Sequence, residues 1–189
     1  MLKKHKGQRV AVFLDVQNLY HSAKHLYDAR VDFDKVVREA VSNRSLIRAL
    51  AYVIKTKTGE ERAFFEALTS IGIEIRVKEL QEFYGGMKKG DWDVGLAVDA
   101  IRISEGIDAV VLVTGDGDFV PLVEYLKNRG KRVEVLAFER SASSKLKEAA
   151  DEFVNLEDGR KKFLLTSSKQ KQKKNTKNSK NKNENKNGE

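Results

Sequence analysis

Five aspartates and one asparagine carry the chemistry this sequence can do: Asp15, Asn18, Asp93, Asp99, Asp116 and Asp118. The last two stand either side of a single glycine in VVLVTGDGDFVPL, where a fully aliphatic run gives way to Gly-Asp-Gly-Asp. Asp15 follows VAVFL in the same manner, with Asn18 close behind, and KKGDWDVGLAVDA supplies Asp93 and Asp99. Carboxylates held this close repel one another unless a cation lies among them. The donors are all hard oxygens with no accompanying His or Cys, which selects Mg²⁺ or Mn²⁺ over zinc or copper. A cluster of this kind, open on one side, suits a metal ion that activates water against a phosphodiester. Thr114 adds a hydroxyl for substrate, and Gly115 and Gly117 leave room for a phosphate to approach.

For these residues to meet, the elements carrying them must share one edge. Five aliphatic or β-branched runs, Arg9–Leu14, Leu46–Ile54, Ile73–Glu79, Ala109–Val113 and Arg132–Phe138, alternate with amphipathic helical patterns. The helices are expected over Asn18–Leu26, Phe33–Val41, Glu60–Ile71, Trp92–Ser104, Val120–Arg129 and Ser143–Ala150. Near-continuous apolar strands between helices imply an α/β fold: a three-layer α/β/α sandwich around a parallel sheet of about five strands. In the common order 3-2-1-4-5 the first and fourth strands are neighbours, so Asp15 and Asp116 face each other across the switch point. Asp93 opens a helix and is the better third ligand. Asp99, six residues on and about 240° around, reads as a second ligand, a supporting partner or a salt-bridge residue.

Each residue also has a plainer role. Asp118 can cap the helix that Pro121 enters, Asn18 can be a helix cap, and Asp93 can complement a helix dipole. Convergence on one strand edge is what favours a site. A Walker phosphate loop is absent, and a calcium loop starting at Asp116 would need an oxygen ligand where Val120 stands. Haloacid-dehalogenase phosphatases want Asp-x-Asp after the first strand, but position 17 is Gln, and a Toprim-like site wants Glu where this chain has Asp15. His21 and His25 lie four apart on one helical face with no third ligand evident, a spacing better suited to lining a groove than to zinc. Phe83 and Tyr84 are the aromatics placed to stack on bases.

The chain has 189 residues, no cysteine and a net charge of +8. From Arg160 onward stand eleven Lys/Arg against two Glu, whereas residues 1–159 hold 25 basic against 26 acidic. The basicity therefore belongs to an appendage, expected to be a disordered Lys/Asn-rich tail over 160–189, behind a near-neutral domain over 9–159 and a short basic extension over 1–8. No window approaches a membrane span or a signal-peptide core, which points to a cytoplasmic protein.

FLDVQNLY, KKGDWDVGLAVDA and VLVTGDGDFVPLV together resemble the three signature blocks of the NYN domain, in its LabA-like branch of the PIN-like nucleases. The resemblance covers about Arg9 to Leu156. It implies a PIN-like sandwich, an acidic Mg²⁺- or Mn²⁺-dependent site and ribonuclease activity. Asp15 and Asn18 match the first block, Asp93 and Asp99 the second, and Asp116 and Asp118 the third. The first block departs from many relatives at Val16-Gln17. The expectation is a metal-dependent ribonuclease in which Asp15, Asp93, Asp116 and Asp118 are catalytic and, with Asp99, hold metal. Asn18, Lys89 and Thr114 would touch an RNA or DNA substrate, and a homodimer is compatible with the chain. The rival expectation is a non-catalytic RNA-binding or regulatory module using the same acidic pocket.

Overall fold

A computed structural model describes residues 4–55, 61–82, 88–89 and 91–165. Six strands form the central sheet: β1 (Arg9–Asp15), β2 (Ser45–Lys55), β3 (Glu74–Glu79), β4 (Ala109–Val113), β5 (Arg132–Ala137) and β6 (Glu152–Asn155). Their order is β3-β2-β1-β4-β5-β6, and every pairing is parallel. The first five match the sequence reading in order and position. The sixth was not expected, and it extends the sheet past β5.

Helices α1 (Val16–Tyr27), α2 (Phe33–Val41), α3 (Arg62–Ser70), α4 (Asp93–Ser104), α5 (Val120–Asn128), α6 (Ser144–Ala149) and α7 (Arg160–Phe163) surround it. Alternation along the strands divides them into two layers. Val10, Val12 and Leu14 of β1 pack in one apolar cluster with Leu19 and Ala23 of α1 and Val36 and Ala40 of α2. Ala11 and Phe13 belong to the opposite cluster, with Leu96 and Ala100 of α4 and Leu122 and Leu126 of α5. Val10 through Leu14 are completely buried, each large side chain contributing about 1.5–3 kcal/mol. The strand that ends in Asp15 is thus the rigid axis of the molecule.

On the α2 side the core holds an ion pair. Arg44 and Glu134 are fully buried, with Nη1 2.8 Å from Oε1 and Nη2 2.9 Å from Oε2. Arg44 also donates to the carbonyls of Ala40 and Val41, and Arg132 and Lys4 approach Glu134 as well. A buried carboxylate needs that much compensation.

The chain beyond Gly159 still packs on the domain. Phe163 is buried in the α1/α2 layer, its carbonyl accepts from the Asp32 amide at 2.8 Å, and Leu164–Leu165 pair antiparallel with Arg30–Val31. The charge run starting at Arg160 suggested a boundary at 159, but one aromatic anchor carries the folded part on to Leu165. The Lys/Asn-rich stretch beyond it, like Phe83 and Tyr84, lies outside the described residues.

Candidate metal centre

The site forms at the carboxyl ends of β1 and β4, where the sheet order reverses. Strand pairing sets Leu14 opposite Val113, so Asp15 and Thr114 leave the sheet side by side. Asp15 turns directly into α1 as its N-cap. One oxygen accepts from the Asn18 amide at 3.1 Å and the other from the Thr114 hydroxyl at 3.0 Å. Asn18 Oδ1 in turn accepts from the Gly115 amide at 2.9 Å, and the Asp116 amide donates to Thr114 Oγ1 at 3.2 Å. These four bonds tie the end of β1 to the Gly-Asp-Gly-Asp turn. They also give contacts within the protein to two residues expected to meet substrate. Thr114 is completely buried, and Asn18 spends its carbonyl on the turn, so both build the site from below. Lys89 forms a short strand with the chain at Gln81–Glu82; its side chain lies outside the described residues.

Asp116 then caps a 3₁₀ turn, Gly117–Phe119, by accepting from the Asp118 amide at 3.0 Å. The two glycines serve the protein's own packing. A Cβ on Gly115 would lie 2.9 Å from the Ser141 carbonyl oxygen and 3.0 Å from Ala142 Cα, and one on Gly117 would lie 2.8 Å from Ser143 Oγ. The loop at 141–143, fastened by a 2.9 Å bond from the Ser143 amide to the Gly115 carbonyl, needs both positions bare. Nothing local in the sequence signals this contact, which spans more than twenty residues.

α4 brings Asp93 to the same place. Asp93, Asp116 and Asp118 each offer a carboxylate oxygen, and the three oxygens lie within 4.8 Å of one another. Asp93 and Asp116 are half-buried, and Asp118 is exposed. Burial, followed by the charges of Asp116, Asp15, Asp91 and Asp118, pushes the Asp93 carboxyl up to about 6. Burial also raises Asp15, against the opposing hydrogen bonds from Asn18 and Thr114, with Asp116 adding repulsion and His21 relieving some of it. Asp15 is therefore a close fourth charge beneath the three, already committed to capping.

Asp99 does not join them. Its Oδ2 accepts from the Tyr52 hydroxyl at 3.0 Å and pairs with Arg76 Nε at 3.3 Å. The 240° separation from Asp93 turns it onto β2 and β3, so the supporting role, not the ligand role, is the one its contacts display. His21 and His25 are exposed on α1, and among the described residues no group able to hold a metal contains a histidine.

A hard divalent cation fits the trio. Three carboxylate oxygens within 4.8 Å of one another, with no nitrogen or sulfur donor among them, form the hard-oxygen set that Mg²⁺ or Mn²⁺ would take.

An NYN domain model matches residues 9–157. The low amplitude and bright protein LabA of Synechococcus elongatus is 27% identical over 167 residues, covering 82% of this chain and 87% of LabA. An uncharacterized protein of Methanocaldococcus jannaschii is 30% identical over 157 residues, and the match spans 58% of that longer chain. A crystal structure of a Vibrio parahaemolyticus protein of unknown function superposes with a TM-score of 0.77 at 35% identity, over 87% of this chain and all of that one. With the sheet order, the acidic edge and the match over nearly all of the folded part, the chain belongs to the NYN domain family.

Proposed function

We propose that this protein is a divalent-metal-dependent nuclease that hydrolyses phosphodiester bonds in RNA. The convergence of Asp93, Asp116 and Asp118 within 4.8 Å carries the reading. Three carboxylates drawn from two distant segments, at the switch point of a parallel sheet, have no structural need to meet. The NYN family's place among PIN-like nucleases supports the same chemistry.

A Mg²⁺ or Mn²⁺ ion bound there supplies charge neutralisation at the phosphate and a water acidic enough to attack phosphorus. Asp93, Asp116 and Asp118 would hold it. Asp15 adds negative charge from below and fixes the turn through Asn18 and Thr114. The eleven Lys/Arg from Arg160 onward supply affinity for phosphates that is blind to sequence and weakened by salt.

Incubation of labelled RNA and DNA with the protein in EDTA and in Mn²⁺ tests this. RNA cleavage in Mn²⁺ alone, lost in Asp116→Asn with the fold retained, upholds the reading. Equal cleavage by wild type and Asp116→Asn assigns the activity elsewhere, and RNA binding without any cleavage makes the domain a binding module.

A further inference from the structure

Leu96 and Ala100 bury one face of α4 in the core, but the end that carries Asp93 has no side-chain cap of its own. Its N-cap is Trp92, which makes no side-chain capping bond, and Asp93 faces the negative charges of Asp116, Asp15, Asp91 and Asp118. That repulsion acts to swing the start of the helix away from the turn. The helix dipole favours an acid at this end by at most about 2 kcal/mol at a partly buried position, and it acts on the charge without fixing the rotation of the helix.

The restraint comes from the strands on the far side of β1. Tyr52 of β2 stands beside Asp15 in the strand ladder, with Arg76 of β3 opposite it in the next pairing. From that level of the sheet both reach the same oxygen of Asp99: the Tyr52 hydroxyl at 3.0 Å and Arg76 Nε at 3.3 Å. Tyr52 is 1% exposed, and its ring meets Trp92 edge-on at a centroid distance of 5.5 Å. Trp92 Nε1 donates to the Val53 carbonyl at 2.9 Å, and Lys78 Nζ donates to the Asp91 carbonyl at 2.9 Å. The contacts grip the helix on both sides of Asp93, from the two residues before it and from Asp99 about 9 Å further along the axis at 1.5 Å per residue.

We propose that Asp99, held by Tyr52 and Arg76, is a positioning residue that fixes the rotation and height of α4 so that Asp93 completes the acidic trio. A carboxylate in the second sequence block thus acts through the helix rather than on a cation. The inference rests on reading the trio as a metal site, but it predicts a geometric effect that exists without metal.

The test uses the full-length chain as wild type, Asp99→Ala, Tyr52→Phe and, as a control, Asp108→Asn, which removes the Arg9 ion pair at the opposite strand edge. Mn²⁺ affinity is read from the loss of the free-ion electron paramagnetic resonance signal, and helix placement from amide spectra of the metal-free protein. Asp99→Ala should weaken Mn²⁺ binding by about 10- to 100-fold, the usual cost of removing a group that orients a ligand. Tyr52→Phe should show a smaller loss in the same direction, and Asp108→Asn none. Amides of residues 93–95 and 116–118 should move in Asp99→Ala while those of β6 stay. Wild-type Mn²⁺ affinity in folded Asp99→Ala overturns the proposal. If wild type takes up no Mn²⁺, the metal reading fails by itself and the metal-free spectra decide: unmoved amides at 93–95 overturn the positioning role, and moved ones uphold it. Should Asp99→Ala not fold, Tyr52→Phe, which keeps the ring and removes one hydroxyl, decides on the same criteria.

Discussion

Asp93 stands where a carboxylate is costly to ionise. Its carboxyl is pushed up to about 6 by burial and by four acidic neighbours, so its charged form is disfavoured in the folded state. The penalty is absent below the unfolded value near 4, grows as pH rises from there through about 6, and is complete above that. Asp93→Asn should therefore raise the thermal midpoint of metal-free protein at pH 7.5 and leave it unchanged near pH 4, as calorimetry at the two pH values would record. Mn²⁺ should reverse the ranking at pH 7.5, since wild type gains by binding and the variant does not. The same proton competes with the cation, so Mn²⁺ affinity should fall as pH drops below 6. The two glycines of the turn separate in the same way. Gly115→Ala meets the backbone of Ser141 and Ala142, which cannot yield, whereas Gly117→Ala meets the Ser143 side chain, whose hydroxyl can rotate away while its Cβ at 3.1 Å must give slightly. Overpacking of the first kind costs about 1–3 kcal/mol. Urea unfolding should show a clear loss for Gly115→Ala and a smaller one for Gly117→Ala.

Among the elements, five strands and six helices were legible because their patterns are undiluted. VAVFL and AVVLV are buried on both faces and read as central parallel strands, and strand ends that lead directly into Asp15 and Asp116 mark the functional edge. β6 was not legible. Its four residues, Glu-Phe-Val-Asn, are all half-buried at the sheet margin, too short and too polar to stand out. Phe163 was hidden by the lysines around it. At the site, five acids of the three blocks were readable, and Asp93, Asp116 and Asp118 among them come together, but the uses of Thr114, Gly115 and Asp99 depend on residues 20 to 100 positions away and leave no local trace. The buried pair beneath α2 is of the same long-range kind. Burial works to raise Glu134, but hydrogen bonds from Arg44 and Arg132 outweigh it and hold the carboxyl below its ordinary range. Its contribution is present above the unfolded value near 4.3 and is lost as pH falls through the lowered folded value. Glu134→Ala leaves Arg44 buried and uncompensated, a loss of about 3–5 kcal/mol. Chemical denaturation at neutral pH should register it, with the difference from wild type narrowing in strong acid.

At the scale of the whole molecule, charge and fold are segregated. The near-neutral domain carries the acidic edge, and the basic residues past Arg160 follow it as an appendage. The described part ends in the pairing of Leu164–Leu165 with Arg30–Val31, so truncation should divide sharply at that point. Removing residues 166–189 should leave the thermal midpoint unchanged and weaken RNA binding at low salt, with the loss shrinking as salt rises. Removing 160–189 also takes Phe163 out of the core, and the midpoint should drop by the equivalent of about 3–5 kcal/mol. Parallel salt slopes for full-length protein and the 166–189 deletion would show that the appendage makes no phosphate contacts. The central claim, that the acidic trio holds a divalent cation, is reached most directly by anomalous diffraction from crystals soaked in Mn²⁺. The account predicts a Mn²⁺ peak among Asp93, Asp116 and Asp118, absent from Asp116→Asn crystals; a site elsewhere, or no peak at millimolar Mn²⁺ with those carboxylates open to solvent, would contradict it.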